Sequence, residues 1–303
     1  MGKHKKGEEV NGWLVVDKPR GMGSTDVVTL TRRVFNAKKN GHTGTLDPFA
    51  TGVLPIAFGE ATKLIPFVTD GEKEYEFVIQ WGASTNTDDS EGEIISRSEK
   101  IPNKEEILRA LPHFIGQIEQ VPPVYSAIKI NGQRAYKLAR EGKEVDMPSR
   151  KVEIYELELL EELPNQQARF RVCCSKGTYV RTLGHDLAEF LGTKGYLQEL
   201  RRTKCGKFGL DDTILVETLK KIVYVVEAKK FLLPIETSLR DIAVIAVSEV
   251  DAGKLRLGQS VSPKMYDVEK LVGNQAVAMC GGSLAAIVRI EERKIAPVRV
   301  FNL

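Results

Sequence analysis

The chain has 303 residues, of which 42% are hydrophobic and 28% are charged. This balance supports a sizeable core and excludes a disordered chain, and the length suits one large domain or a large domain with a small one. The formal net charge of +3 permits an anionic partner without requiring one.

The N-terminal residues 1–10 are polar and predict a flexible tail. They contain no apolar core of a secretory signal, and no apolar run in the sequence approaches the length of a membrane span. The four cysteines form no C-x-x-C pair. We therefore expect a reduced, cytoplasmic protein that does not associate with a membrane.

The next segments predict a strand, a helix and a loop. Residues 12–19 form an apolar run that ends at a proline, which is typical of a strand. Residues 24–39 predict a helix that Ser24 or Thr25 caps. The loop that follows, "GHTGTLDPFATGVLP", is rich in glycine and threonine before it turns apolar.

The middle of the chain predicts a further strand, a loop and a helix. Residues 74–82 are strand-like, and the acidic, turn-rich residues 83–94 predict a solvated loop. Residues 103–120 have apolar positions at helical spacing, with a break expected at Pro112.

The following segments settle the predicted fold class. Residues 134–142 predict a short helix, 151–163 and 168–177 alternate like two strands of a hairpin, and 179–192 predict an amphipathic helix. Strands and helices thus mix without regular β-α-β alternation. This order favours the α+β class with a mixed, mainly antiparallel sheet.

The sequence changes character near residues 233–241. Beyond them lie short β-rich runs with glycine-containing turns, which predict a small β-barrel of roughly 60 residues. We accordingly predict a large α+β domain over 11–236 and a small barrel domain over 237–303.

Motifs for common cofactor and metal sites are absent from the sequence. There is no phosphate-binding loop of the G-x-x-x-x-G-K-[ST] type, no G-x-S-x-G nucleophile elbow, and no cysteine at zinc-ligand spacing from a histidine. The histidines are His4, His42, His113 and His185. We therefore expect chemistry that uses no metal and no cofactor.

One aspartate stands out in the glycine- and threonine-rich loop. Asp47 precedes Pro48, which biases its backbone to an extended conformation, and the flanking Gly44 and Gly52 permit tight geometry. An Asp-Pro turn whose carboxylate binds nearby amides explains this pattern without a function. A polar loop fixed to an apolar segment is also how many sites are built, so both interpretations stay open here.

Two later stretches carry cations. Arg181 lies where a predicted strand passes into a helix, and a cation is disfavoured at a helix N-terminus unless an anion lies beside it. A carboxylate could pair with both of its amino groups. Residues 200–210 hold four cations among apolar residues, which suits an RNA backbone and an unstacked base. A solvated charged face explains that second stretch equally well. The four cations are Arg201, Arg202, Lys204 and Lys207.

These motifs together resemble the TruB family of tRNA pseudouridine synthases over residues 12–210. The C-terminal part is similar, more loosely, to the PUA-like RNA-binding domain of bacterial members. The resemblance therefore implies a pseudouridine synthase catalytic domain followed by a PUA-like barrel. The segments that carry it are "VVDKPRGMGSTDVV", "GHTGTLDPFATGVLP", "KEYEF" with "WGASTNTDDSEGEI", "PPVYSAIKINGQRAYKLAREG", "CSKGTYVRTLGHDL" and "LRRTKCGKF".

The resemblance implies the isomerisation of uridine to pseudouridine in the T loop of tRNA, at tRNA position 55. The glycosidic bond breaks, the uracil turns while it is bound, and its C5 bonds to ribose C1′. The uridine has to be flipped out of the folded loop first. No atom is gained or lost, so one nucleophilic carboxylate suffices and no cofactor is implied.

The resemblance also assigns catalytic residues. Asp47 is implied to be the nucleophile, either by attack at C1′ or through a glycal. Arg181 is implied to be its ion-pair partner. Tyr75 by itself looks like a core residue of a strand, but by resemblance it stacks on the uracil and can take part in removing the C5 proton.

Five substrate contacts complete the expected site. By resemblance, Tyr179 and Leu200 line the base pocket, and His42 enters the T loop near the space that the flipped nucleotides leave. Lys18 is expected to be a structural or phosphate contact. The basic stretch contributes Arg202 as an RNA contact.

Three functions compete at this point. The first is a stand-alone tRNA pseudouridine synthase, which we expect to be a monomer with no obligatory protein partner. The second is the catalytic subunit of a guide-RNA-dependent ribonucleoprotein, which the lack of a long basic extension disfavours. The third is a non-catalytic RNA-binding protein, which the set of Asp47, Tyr75 and Arg181 disfavours.

Overall fold

The computed structural model describes residues 7–126, 128–130, 132–135, 141 and 146–303. The strands are β1 (Gly12–Lys18), β2 (Asn40–His42), β3 (Thr51–Phe58), β4 (Lys73–Trp81), β5 (Ala83–Thr85), β6 (Ile94–Arg97), β7 (Gly116–Gln120), β8 (Lys129–Ile130), β9 (Gln133–Arg134), β10 (Arg150–Leu163), β11 (Gln167–Cys174), β12 (Gly195–Cys205), β13 (Phe208–Gly209), β14 (Thr213–Leu215), β15 (Ala243–Ala246), β16 (Gln275–Cys280), β17 (Ser283–Ile290) and β18 (Ile295–Val300). The α-helices are α1 (Ser24–Val34), α2 (Ile65–Asp70), α3 (Lys104–Ala110), α4 (Val180–Phe190), α5 (Val216–Lys221), α6 (Val225–Lys229) and α7 (Glu249–Arg256). Short 3-10 helices span Gly59–Leu64, Leu111–Phe114, Leu210–Asp212, Ile235–Leu239, Pro263–Met265 and Glu269–Leu271.

The large sheet has ten strands in the order β14-β1-β3-β12-β4-β11-β10-β7, with β2 added to β3 and β13 added to β12. The pairs β1–β14 and β3–β12 are parallel, and the other described pairs of this sheet are antiparallel. The predicted α+β class with a mixed, mainly antiparallel sheet is therefore confirmed.

One face of this sheet holds the main hydrophobic core. Alternate residues of β4, such as Phe77 and Ile79, point into it and meet Leu183 and Leu187 of α4. A Cβ atom on Gly184 would lie 2.6 Å from Leu197 Cδ2, so this glycine lets α4 approach β12 closely. That close packing fixes where the N-terminus of α4 lies over the sheet.

The opposite face of the large sheet packs against a second sheet, formed by β15, β16, β17 and β18 in that order. Trp13 and Phe208 of the large sheet, whose ring centroids are 5.2 Å apart, share one buried cluster with Ile287 and Phe301. The predicted closed barrel is not confirmed, because the second sheet is open. Helix α7 packs against β16, β17 and β18 instead.

Several predicted elements differ from the structure. Residues 116–120 form strand β7 rather than the end of a helix, because they pair with β10 along an edge of the sheet. Helix α1 is capped by Gly23, whose N–H donates to Asp26 Oδ2 at 3.1 Å, and not by Ser24 or Thr25. Most of the predicted helix 134–142 and residues 1–6 of the predicted tail lie outside the described residues.

Strands β3 and β12 meet at a point where only glycine fits. Gly52 has φ of 101°, and a Cβ atom there would lie 2.2 Å from the backbone oxygen of Arg202. We expect Gly52→Ala to lower the free energy of unfolding by at least about 2 kcal/mol, measured by urea denaturation. Gly253→Ala is the control, since nothing lies near that helical position and alanine there should stabilise by about 0.5–1 kcal/mol. An unchanged stability of Gly52→Ala would contradict this packing.

Candidate active site

A cavity of about 250 Å³ opens between the loop that carries Asp47, strands β4 and β12, and the N-terminus of α4. Six of the predicted catalytic and substrate-binding residues line it. They are Asp47, Tyr75, Tyr179, Arg181, Leu200 and Arg202. A larger cavity of about 560 Å³ lies between the end of β4 and the β5–β6 hairpin, and it contains none of the predicted site residues.

The backbone beside Asp47 is anchored to the start of α1. Ser24 Oγ accepts a hydrogen bond from the N–H of Leu46 and donates one to its carbonyl, both at 2.8 Å. Ser24, a possible helix cap from its sequence position, instead holds the residue before the candidate nucleophile. The side chain of Asp47 remains 32% exposed and faces the cavity.

Lys18 supports the other side of the same loop. Its ammonium is buried and donates to the carbonyls of Pro19, Met22 and Pro48 at 3.0, 2.7 and 3.2 Å. Burial lowers the pKa of Lys18 to about 8. Because all three donors are occupied, the ammonium positions the loops in this structure and does not present itself to a phosphate.

Arg181 lies almost completely buried beside Asp47. Its Nη2 is 3.0 Å from Asp47 Oδ2 and also donates to the carbonyl of Tyr125 at 2.9 Å. Its Nη1 donates to the carbonyl of Thr87 at 2.9 Å and lies 3.5 Å from Asp89 Oδ2. The guanidinium therefore contacts four acceptors instead of pairing with one carboxylate through both amino groups, as its sequence position suggests.

Asp89 is a site residue that the sequence analysis missed. The predicted solvated loop is wrong here, because Asp89 is only 4% exposed and faces Arg181. Thr87 Oγ1 and the N–H of Glu91 donate to its carboxylate at 2.7 and 3.0 Å. Burial raises the pKa of Asp89, while these hydrogen bonds and Arg181 oppose the rise.

Tyr75 and Arg202 form the buried floor of the cavity. Burial raises the pKa of Tyr75 to about 12, so its hydroxyl stays protonated near neutral pH. Arg202 is 1% exposed, and it donates to the carbonyls of Val53 and Gly44 at 2.8 and 3.3 Å. Arg202 thus joins strands to the loop of Asp47, and its guanidinium is not offered to an RNA backbone.

The rest of the predicted basic stretch is largely paired. Arg201 contacts Asp17 through two nitrogens at 3.0 and 2.7 Å, and Lys207 forms an ion pair with Asp241. Lys204 is exposed. The stretch is therefore not a continuous basic surface, which corrects that interpretation.

Of the remaining predicted contacts, Tyr179 and Leu200 line the cavity and His42 does not. The side-chain amide of Gln120 accepts from the N–H of Tyr179 at 3.0 Å and donates to its carbonyl at 3.2 Å, which fixes the start of α4. Leu200 is buried on β12. His42 is outside the lining, and its Nδ1 accepts from the N–H of Gly44 at 3.2 Å.

Among the residues that the structure describes, no group of three or more His, Cys, Asp or Glu side chains is arranged to hold a metal ion. In the same part of the chain, no helix has the length and apolar character needed to cross a membrane.

Comparisons with known proteins agree on one family. Residues 32–180 match the TruB family pseudouridylate synthase N-terminal domain, and residues 181–240 match the tRNA pseudouridylate synthase B C-terminal domain. Proteins named tRNA pseudouridine synthase B match nearly the whole chain. The one from Caulobacter vibrioides is 46% identical and covers 100% of both chains, and the one from Bradyrhizobium diazoefficiens is 47% identical over 97% of this chain and 87% of its own.

A solved structure supports the fold. It is described as an H/ACA RNP bound to a substrate RNA containing 2′-deoxyuridine. The match has a TM-score of 0.74 at 20% identity and covers 100% of this chain and 92% of that chain. At this identity the likeness concerns the pseudouridine synthase fold alone.

Proposed function

Because the chain belongs to the TruB family of pseudouridylate synthases, we propose that it is a tRNA pseudouridine synthase. It isomerises uridine to pseudouridine in the T loop of tRNA, at tRNA position 55. The observation that carries this proposal is the buried guanidinium of Arg181, held against the partly exposed carboxylate of Asp47 at a cavity of about 250 Å³. The tRNA is the substrate, and its uridine enters the cavity after flipping out of the loop.

The reaction needs one carboxylate and a held base. Asp47 acts on the ribose, by attack at C1′ or through a glycal, and the bond between C1′ and uracil N1 breaks. The uracil turns within the cavity and its C5 bonds to C1′; on the first route the bond between C1′ and the Asp47 carboxylate breaks at this step, and on the glycal route C2′ regains the proton it lost. C5 then loses its proton and N1 gains one. Atoms and electrons balance without any oxidant or reductant. Arg181 fixes the direction from which the Asp47 carboxylate approaches the sugar.

Tyr75 has the position and the protonation state for holding the base. Its ring faces the cavity, and its pKa of about 12 keeps the phenol neutral. The ring supplies a stacking surface for uracil. Because the phenol is already protonated, it is not itself the base that takes the C5 proton, and the role proposed for Tyr75 is stacking on the uracil.

We expect Tyr75→Leu to lower kcat/KM about 10–100-fold, since stacking on an aromatic ring contributes roughly 1–3 kcal/mol per base. Tyr75→Phe keeps the ring and removes the hydroxyl, so it measures the contribution of the hydroxyl alone. Because the pKa of Tyr75 is about 12, wild type and Tyr75→Phe should have rate profiles of the same shape between about pH 6 and about pH 9. Single-turnover assays on a tRNA transcript measure the rate loss of Tyr75→Leu and the pH profile of Tyr75→Phe. Equal rates for Tyr75→Leu and wild type would contradict the stacking role.

The C-terminal sheet is proposed to belong to a PUA-like RNA-binding domain over 237–303. Its strands β15 to β18 form a unit with α7, and this unit packs on the face of the large sheet opposite the main core. The protein is proposed to act as a cytoplasmic monomer without an obligatory protein partner.

One experiment tests the function directly. The purified chain is incubated alone with an unmodified tRNA transcript, and pseudouridine is mapped by chemical labelling and reverse transcription. We expect a single modified site in the T loop. Product that forms only after guide RNA and accessory proteins are added would favour the ribonucleoprotein subunit, and tRNA binding without any product would favour a non-catalytic RNA-binding protein.

A further inference from the structure

Helix α4 presents a second basic side chain on the face that carries Arg181. His185 follows Arg181 by four residues, which places both on one side of the helix. His185 Nδ1 lies 3.2 Å from Asp88 Oδ1, and Arg181 Nη1 lies 3.5 Å from Asp89 Oδ2. Two residues of one helix therefore meet two consecutive carboxylates of one turn.

The turn that carries these carboxylates has a backbone that needs support. Asp88 has φ of 59°, a left-handed conformation that is uncommon for a residue other than glycine. Its N–H donates to the carbonyl of Thr85 at 3.3 Å, and its carbonyl accepts from the N–H of Leu197 at 3.0 Å. The residues on either side, Thr87 and Asp89, supply acceptors to Arg181. A contact that fixes the backbone at Asp88 therefore also fixes the Thr87 carbonyl and the Asp89 carboxylate, which both hold the guanidinium of Arg181.

We propose that His185 and Asp88 form a latch that holds the turn 85–89 against α4 and thereby positions Arg181 beside Asp47. Neither residue lines the cavity, so both are positioning residues and not catalytic ones. The effect on the reaction rests on the proposed function, because it acts through the Arg181–Asp47 pair.

The charges around the latch give it a pH dependence. The hydrogen bond to Asp88 raises the pKa of His185, burial opposes the rise, and Asp88, Asp186 and Glu189 add to it by their charge. Because the pKa of His185 is raised, the imidazolium–carboxylate ion pair stabilises the latch fully at pH values below the ordinary histidine pKa. This ion-pair contribution is lost as the pH rises through the raised pKa of His185. The neutral imidazole keeps at most a single hydrogen bond to the carboxylate.

The first test compares His185→Gln, Asp88→Asn and the double variant with wild type in single-turnover assays. At about pH 6 we expect each single variant to be about three- to tenfold slower with unchanged tRNA affinity, and the double variant to be no slower than either one. At about pH 9 the difference should shrink towards twofold. Lys194→Gln, which breaks the surface ion pair of 2.6 Å with Glu189 near the end of α4, is the matched control and should keep the wild-type rate.

The second test detects the contact between His185 and Asp88 by NMR and does not depend on pseudouridine formation. Asp88→Asn should lower the pKa of His185 in an NMR titration of the imidazole. The Nε–H of Arg181 is buried and has no acceptor among the described residues, so its resonance, identified by its loss in Arg181→Lys, should shift in His185→Gln.

If both NMR effects are present and neither wild type nor any variant forms pseudouridine, the proposed function is wrong and the latch stands. If wild type is active and His185→Gln matches it at about pH 6, or loses the same factor at both pH values, the latch is wrong.

Discussion

Asp47→Asn is expected to abolish pseudouridine formation, with a fall of at least about 10⁴-fold in the single-turnover rate. The amide has nearly the same shape as the carboxylate but is not a nucleophile towards the sugar. The loop should keep its conformation, because Ser24 and Lys18 hold the backbone on either side of Asp47. Affinity for tRNA should therefore stay within about threefold of wild type, since binding depends on backbone contacts and loop shape.

The measurement pairs pseudouridine mapping after long incubation with a filter-binding assay on the same transcript. Asp70→Asn is the control, because Asp70 is an exposed carboxylate whose ion pair with Lys176 measures 2.8 Å; it should keep activity within about twofold. Mass spectrometry of the Asp47→Asn protein excludes deamidation back to aspartate. Substantial product from an intact asparagine variant would remove Asp47 from the role of nucleophile.

Periodicity was sufficient to predict the parts of the fold that local patterns control. Strands β1 and β4, the β10–β11 hairpin and helix α4 lie close to where apolar spacing places them. Arg181 also had a local signal, because a cation at a helix N-terminus requires a neighbouring anion. The structure supplies that anion in Asp47 and adds a second in Asp89.

Other features depend on contacts between distant segments, which no local pattern contains. Asp89 lies in an acidic turn that reads as solvated, and it is buried only because α4 brings Arg181 against it. Lys18 is buried because carbonyls from two loops converge on its ammonium. Strand β7 exists because β10 offers an unpaired edge. The sheet partner in this last case overrides the helical spacing of the segment.

The basic stretch 200–210 shows that local sequence also fails to predict which charges are available to a partner. Its four cations lie within seven residues, but the three on β12 enter different surroundings through strand alternation and a register shift between Arg202 and Lys204, and Lys207 lies beyond the end of that strand. Arg202 enters the core, whereas Arg201 reaches Asp17 and Lys207 reaches Asp241. Counting cations in a strand therefore overestimates the charge available to RNA, and the acidic partners that neutralise them come from remote parts of the sequence.

Arg181→Lys is expected to lower the single-turnover rate about 10²–10³-fold although it conserves the charge. The guanidinium reaches Asp47, Asp89 and two backbone carbonyls at once. A lysine ammonium is a single point that cannot span these acceptors, so buried oxygens lose their donors at roughly 1–3 kcal/mol each. The free energy of unfolding should fall by about 2–4 kcal/mol in urea denaturation for the same reason.

Arg201→Lys is the matched control for this substitution. Arg201 also contacts an aspartate through two nitrogens, at 3.0 and 2.7 Å, but its side chain is 38% exposed. Water can replace its lost hydrogen bonds, so its rate and stability should change by less than about 1 kcal/mol. A large loss of rate and stability in Arg181→Lys, with a small loss of both in Arg201→Lys, would therefore show that the burial of the guanidinium matters in addition to its charge. Wild-type turnover by Arg181→Lys would mean that charge alone suffices and that the spread of acceptors around Arg181 does not position Asp47.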